Sequence, residues 1–160
     1  MEADNHLELR SPVERLESSV VRRDLEQPGS VSPEVMAQLR YILSFAKLTV
    51  IRNEAGEDLN VAEHLAPHRW RVVEALRPHL EEGGQGLAAA VGSIDRLLAA
   101  TQKRRKRLLD SFELDRESLE AEVTTRQLVV VAGGGGGSGY GFPGGFTLLN
   151  RRGLQPELVA

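Results

Sequence analysis

The chain has 160 residues, of which 23 are acidic and 20 basic, and its formal net charge at pH 7 is -3. A slightly acidic chain has no overall electrostatic attraction to nucleic acid, so we expect no nucleic-acid partner. The absence of cysteine excludes disulfides and thiolate chemistry and leaves the redox compartment open. The acidic N-terminus lacks the apolar segment of a secretory signal, so the expected location is cytoplasmic.

Glycine divides the sequence into two parts. Of the 16 glycines, six lie in residues 1–127 and ten in residues 128–160, so the two parts follow different backbone rules. Four amphipathic segments with short connections occupy the first part, which is typical of a helical bundle. We therefore expect a disordered N-terminus over residues 1–10, a helical domain over residues 11–126, and an α/β segment over residues 127–160.

Helix start signals mark the beginning of the helical domain. Ser11 and Glu14 have the spacing of a capping box around Pro12, and Pro28-Gly29 should end this first helix. A second start, Ser32-Pro33, precedes apolar residues at three- and four-residue spacing: Val35, Leu39, Ile42, Leu43 and Ala46. The sequence predicts two consecutive amphipathic helices here.

The second helix is expected to end at Asn53–Gly56. Asn60 and Glu63 offer a capping pair for a third helical region, which Pro67 and Pro78 should break or kink. A fourth pattern follows Gly86 and extends toward Leu119, with apolar residues that include Leu87, Val91, Ile94, Leu97, Leu98, Leu108 and Phe112.

Two polar features of this domain have candidate functions. The run Lys103–Arg107 could bind phosphate or an anionic lipid surface, although the acidic residues that follow it favour one end of a solvated, salt-bridged helix. His64 and His68 have the spacing of two zinc ligands on one helix side, but Pro67 lies between them and no third ligand is evident. We therefore expect no metal site.

The uncharged stretch Leu128–Leu149 is long enough to span a membrane, but nine glycines and Pro143 argue against a membrane helix. We instead predict a buried strand at Leu128–Ala132, a glycine-rich turn at Gly133–Gly141, a helix, and a second strand. Glu157–Ala160 has no terminating polar residue, so we expect the domain to be incomplete at this point.

A glycine-rich turn after a strand has four candidate uses. A Walker-type phosphate loop requires a lysine, and no lysine occurs after Lys106. Dinucleotide binding requires Gly-x-Gly-x-x-Gly, a spacing that Gly134, Gly136 and Gly139 satisfy. The third use is an oxyanion hole, in which successive backbone N–H groups stabilise the negative oxygen formed when an ester is attacked. The fourth, a flexible linker, is disfavoured by the apolar segments on both sides.

Residues 129–160 resemble the opening of a bacterial patatin-like phospholipase domain. In that family a strand leads into Gly-Gly-Gly-x-Arg/Lys-Gly, a helix ends in a residue pair before glycine, and a second strand leads into Gly-x-Ser-x-Gly. Here Gly134–Gly139 fall on the first motif, Arg152-Gly153-Leu154 on the helix end and Pro156–Ala160 on the second strand. Ser138 stands where the family usually has arginine or lysine.

The resemblance implies a serine acyl hydrolase with a Ser-Asp dyad that acts on lipid or phospholipid esters, with peripheral membrane contact and no cofactor. The oxyanion-hole residues would be Gly134, Gly135, Gly136 and Gly137. The nucleophile would follow Ala160, and Ser138 does not replace it because Tyr140 occupies the last glycine position of the serine elbow. We therefore expect residues 1–160 alone to be catalytically inactive. A dinucleotide-binding module and a helical interaction or membrane-docking module remain the alternatives.

Overall fold

A computed structural model describes most of the helical region and short parts of the remainder. The chain divides into two compact units, residues 1–124 and residues 125–160, which are considered separately. The predicted disordered N-terminus lies outside the described residues. The residues that the structure describes are 11–81, 84–112, 114–124, 129–130, 151 and 158–159.

The first unit begins with two capped helices, α1 (Pro12–Glu26) and α2 (Pro33–Lys47). Ser11 Oγ accepts a hydrogen bond of 3.3 Å from the Glu14 amide, and the Ser11 amide donates to Glu14 Oε2 at 2.6 Å, which completes the capping box. At the second start the Ser32 hydroxyl accepts from the backbone of Val35 at 3.3 Å. Both predicted helix starts are confirmed.

An antiparallel hairpin follows α2, and the sequence pattern did not predict it. Strand β1 (Val50–Arg52) pairs with β2 (Asp58–Asn60), and Ile51 lies opposite Leu59. The predicted helix end at Asn53–Gly56 is wrong, because α2 ends at Lys47 and these residues form the hairpin loop. Gly56 has φ of 80°, a left-handed conformation that favours glycine, and the β-branched residues at the start of β1 favour an extended chain.

Three helices complete the first unit: α3 (Ala62–Leu80), α4 (Leu87–Phe112) and α5 (Arg116–Thr124). Of the two outcomes expected at Pro67 and Pro78, a break or a kink, the break is wrong, since α3 runs through both positions. Buried side chains on either side of Pro67, such as Leu65 and Val72, hold the helix in the core despite the missing amide. The fourth pattern does not form one helix, because α4 ends at Phe112 and α5 begins at Arg116. At the start of α5 the Asp115 side chain accepts a hydrogen bond from the Ser118 amide at 2.7 Å.

Two hydrophobic clusters hold the first unit together. The larger cluster joins α1, α2, α3 and the first half of α4, with fully buried Leu16, Leu39, Ile42, Leu76 and Ile94 among its members. The second joins the hairpin and the end of α2 to α3, α4 and α5, and its members include Phe45, Ile51, Leu65, Leu108 and Leu119. The described part of this unit is therefore a mostly helical, bundle-like structure with one small antiparallel sheet.

In the second unit the described residues are two strands and one helical position. Strand β3 (Val129–Val130) pairs in parallel with β4 (Leu158–Val159), with Val129 opposite Leu158 and Val130 opposite Val159. Arg151, between them in sequence, has helical backbone. A search of the described helices finds none with the length and apolar character needed to cross a bilayer.

Candidate functional site

The predicted oxyanion-hole residues, Gly134–Gly137, lie outside the described residues, as does Gly139 of the dinucleotide pattern. Their placement therefore stays a prediction. Within the described chain, a different candidate site lies in the first unit, where α3 and α4 pack against each other. It is a cavity of about 230 Å³, which we call the α3–α4 cavity, lined by Pro67, His68 and Arg71 of α3 and by Ala100, Lys103, Arg104 and Arg107 of α4.

Helical spacing places the α4 lining residues together. Residues 100, 103, 104 and 107 are three, four and seven positions apart, so they share one helix face. The buried stripe of the same helix includes Thr101 and Leu108. Arg104 lies between these two positions, and its side chain is half-buried at the edge of the stripe.

His68 forms the inner wall of the α3–α4 cavity and is only 3% exposed. Its Nε2 lies 3.2 Å from the hydroxyl oxygen of Thr101, and this hydroxyl donates to the Leu97 carbonyl at 2.8 Å. Because a hydroxyl has one proton to donate, the contact requires His68 Nε2 to carry a proton and donate to Thr101. The imidazole also meets the Phe45 ring edge-on, with centroids 5.6 Å apart.

The imidazole of His68 is neutral at physiological pH. Burial, followed by the nearby positive charges of Arg104 and Arg71, lowers its pKa from 6.5 to about 4. The ring therefore adds a polar, uncharged surface to the cavity, while the positive charge comes from the side chains around it.

The four cations that line the cavity differ from other arginines of the unit in their bonding. Arg69 donates to the carbonyl oxygens of Ala46 and Leu48 at 2.9 and 3.2 Å, and Arg23 similarly caps the end of α3. Among the described residues, by contrast, no hydrogen bond or ion pair of 4 Å or less involves the cavity cations, which are Arg71, Lys103, Arg104 and Arg107.

The side chains of the basic run Lys103–Arg107 thus point to different sides of α4. Arg105 turns away from the cavity and forms an ion pair with Glu120 of α5, and it also donates to the Tyr41 hydroxyl at 3.4 Å. The predicted salt-bridged character is confirmed for this residue. Lys103, Arg104 and Arg107 instead line the cavity, and Lys106 is exposed outside it.

The two histidines singled out by the sequence have different surroundings. His64 is exposed and meets the Phe112 ring edge-on at 4.7 Å, whereas His68 is bonded to Thr101. In the parts of the chain that the structure describes, no group of three or more potential ligands could hold a metal ion. His64 lines a neighbouring cavity of about 200 Å³ that shares Arg104 and Arg107 with the first and also includes Asp110.

Sequence reasoning found the basic run but missed Arg71. The three- and four-residue spacing of Lys103, Arg104 and Arg107 was a readable signal for a shared face. The contribution of Arg71 depends on how α3 packs against α4, which no local pattern shows.

Comparison with known proteins adds no relative: no protein-family model, no curated protein and no solved structure matches the chain. The function is accordingly argued from the residues themselves.

Proposed function

We propose that residues 127–160 form the first strand, glycine loop, helix and second strand of a patatin-like serine acyl hydrolase domain. In this proposal the chain is the N-terminal part of an enzyme that cleaves lipid or phospholipid esters. Its contribution to catalysis is the loop Gly134–Gly137, whose backbone amides form the oxyanion hole.

The observation that carries the proposal is the parallel pairing of β3 with β4. A two-residue turn can join antiparallel strands, but parallel strands require a crossover of a dozen or more residues, usually with a helix. Residues 131–157 provide such a connection, and the helical backbone of Arg151 agrees with a helix before the second strand. A β-α-β unit with this pairing would put the glycine loop directly after its first strand, where a patatin-like domain requires its oxyanion loop.

The chemistry follows from backbone donors. When a serine attacks an ester carbonyl, the oxygen becomes negatively charged, and preorganised N–H groups stabilise it more than they stabilise the ground state. Glycine allows the backbone to approach the substrate closely because it has no β-carbon. The chain has no Gly-x-Ser-x-Gly sequence, so the proposal includes a nucleophile outside residues 1–160.

A dinucleotide-binding module would have the same strand–loop–helix–strand order, so the parallel pairing supports both. The two differ in what comes after the second strand. An acyl hydrolase requires the serine elbow there, whereas dinucleotide binding requires an acidic residue that holds the ribose. The sequence Arg152-Gly153-Leu154, which resembles the helix end of the patatin-like pattern, favours the hydrolase.

The decisive experiment reads the gene past codon 160 and assays its complete product. We expect a Gly-x-Ser-x-Gly elbow directly after the second strand, turnover of p-nitrophenyl esters and phospholipids, and loss of turnover on replacement of the elbow serine by alanine. Residues 1–160 alone should not hydrolyse these esters. An acidic residue at the strand end, together with saturable binding of NADH to residues 1–160, would instead support the dinucleotide module and contradict the hydrolase.

A further inference from the structure

We propose that the α3–α4 cavity is a binding site for the phosphate group of an anionic ligand. The ligand would be held by the guanidinium and ammonium groups that line the cavity, which are those of Arg71, Lys103, Arg104 and Arg107. This site is separate from the proposed oxyanion hole, because all of its residues lie in the first unit.

Charge is the first argument. Four basic residues line one cavity in a chain whose formal net charge is -3, so the charge of the lining is opposite in sign to that of the whole molecule. Three of them are exposed and Arg104 is half-buried. Like charges held together repel each other, and within the described residues no carboxylate forms an ion pair with any of the four. A bound anion would relieve this repulsion and supply the missing partners.

The acidic groups near the cavity do not neutralise it. Glu74 and Asp110 each line an adjoining cavity, Glu74 with Arg71 and Asp110 with Arg104 and Arg107. Neither carboxylate comes within ion-pairing distance of a cation in the described part of the chain. The α3–α4 cavity itself is lined by no acidic residue among those described.

Size and donor type favour phosphate within the class of anions. Liquid water takes about 30 Å³ per molecule, so a cavity of about 230 Å³ has room for a tetrahedral phosphate group and some of its hydration. Guanidinium groups present paired N–H donors that match phosphate oxygens, and Arg104 is half-buried, which strengthens its electrostatic interaction. The neutral His68 closes the inner wall without adding a charge.

The test is calorimetric titration of the 160-residue chain with inorganic phosphate at constant ionic strength, which holds general screening fixed. The matched pair of variants is Lys103→Gln and Lys106→Gln, since both lysines are exposed on α4 and only Lys103 lines the cavity. We expect Lys103→Gln and Arg104→Gln to weaken binding about 10-fold or more, as is usual for loss of a charge-assisted hydrogen bond. Lys106→Gln should bind as the wild type does.

A second arm identifies the source of the phosphate. Vesicles of phosphatidylcholine with and without phosphatidic acid are sedimented with the same proteins, while circular dichroism melting confirms that each variant is folded. Binding of inorganic phosphate that depends on Lys103 assigns the site to a soluble phosphate ligand. Binding only to vesicles with phosphatidic acid, again dependent on Lys103 and not on Lys106, assigns it to a lipid headgroup.

The proposal is overturned if neither probe binds, or if Lys106→Gln weakens binding as much as Lys103→Gln. The first result would mean that the cavity has no affinity for phosphate. The second would mean that the basic run acts only as a diffuse charged surface. Neither result bears on the hydrolase proposal, because the variants leave residues 125–160 unchanged.

Discussion

The two units of this chain offer negative charge two different kinds of partner. In the first unit, side-chain cations on α3 and α4 surround a cavity, and their charge is full but spread over flexible side chains. In the second, the site we propose would use backbone amides of a glycine loop, which carry partial charges that a folded loop would hold in place. Fixed donors suit a transient charge in a reaction, whereas mobile cations suit a ligand that binds and leaves.

A comparison within the first unit makes the same distinction on a smaller scale. Arg105 and Lys103 are two positions apart on α4, so they point in different directions. Arg105 is engaged with Glu120 and Tyr41 and ties α4 to α5 and α2, while Lys103 lines the cavity. One stretch of basic residues thus divides into a structural cation and a candidate ligand-binding cation.

The largest expected effect concerns the glycine loop. In a product of the gene that includes the serine elbow, Gly136→Pro removes one proposed N–H donor and should lower kcat about 100- to 1000-fold, or about 3–4 kcal/mol of barrier. Gly141→Ala, outside the proposed oxyanion hole, serves as the control and should retain most activity. Equal kcat for Gly136→Pro and the wild type would contradict the assignment, provided that both proteins melt at the same temperature.

A smaller effect concerns His68 and acid stability. The unfolded chain takes up a proton at this histidine near pH 6.5, whereas the folded chain does so only near pH 4, because burial and the adjacent arginines lower the pKa. The unfolded state therefore binds more protons between these values, and the free energy of unfolding should fall as the pH drops from about 6.5 to about 4, by about 2–3 kcal/mol from this group.

Urea unfolding across this pH range would measure the effect. His68→Gln keeps a polar side chain beside Thr101 but cannot titrate, so the difference between its pH profile and that of the wild type isolates the histidine. Parallel profiles for the two proteins would show that His68 does not titrate differently on folding.

The smallest effect separates the two faces of the basic run. Arg105→Gln removes the partner of Glu120 and should lower the free energy of unfolding by about 1 kcal/mol, because the pair is only partly buried. Phosphate affinity should not change. Lys106→Gln, at an exposed position, should alter neither quantity by more than about 0.5 kcal/mol. If Arg105→Gln weakened phosphate binding as much as Lys103→Gln does, the two faces of α4 would not differ in function, which would contradict the prediction.

Local signals in the sequence predicted the helix starts correctly. The side chains of Ser11, Glu14 and Ser32 accept from amides three residues away in sequence, so their effect is independent of the rest of the fold. The continuous α3 was mispredicted for the opposite reason. The penalty of Pro67 is local, but the burial of Leu65 and Val72 that outweighs it depends on neighbouring helices.

The hairpin and the cavity required the tertiary structure for similar reasons. Val50 continues the apolar spacing of α2 in sequence, and only its pairing with Asn60 shows that it belongs to a strand. The basic run is visible in the sequence. That Arg71 lines the same cavity depends on the packing of α3 against α4, which the sequence does not show. The strand predicted before the glycine run is confirmed by β3 (Val129–Val130), because its run of β-branched residues is a local signal.

The proposed oxyanion hole can be observed directly with a trifluoromethyl ketone, which forms a tetrahedral, negatively charged adduct with a catalytic serine. The measurement is the NMR shift of the amide protons of Gly134–Gly137 in the complete gene product before and after the adduct forms. We predict that at least two of these protons move downfield, as amides do when they donate to an oxyanion. An adduct that leaves all four amide shifts unchanged would contradict the account.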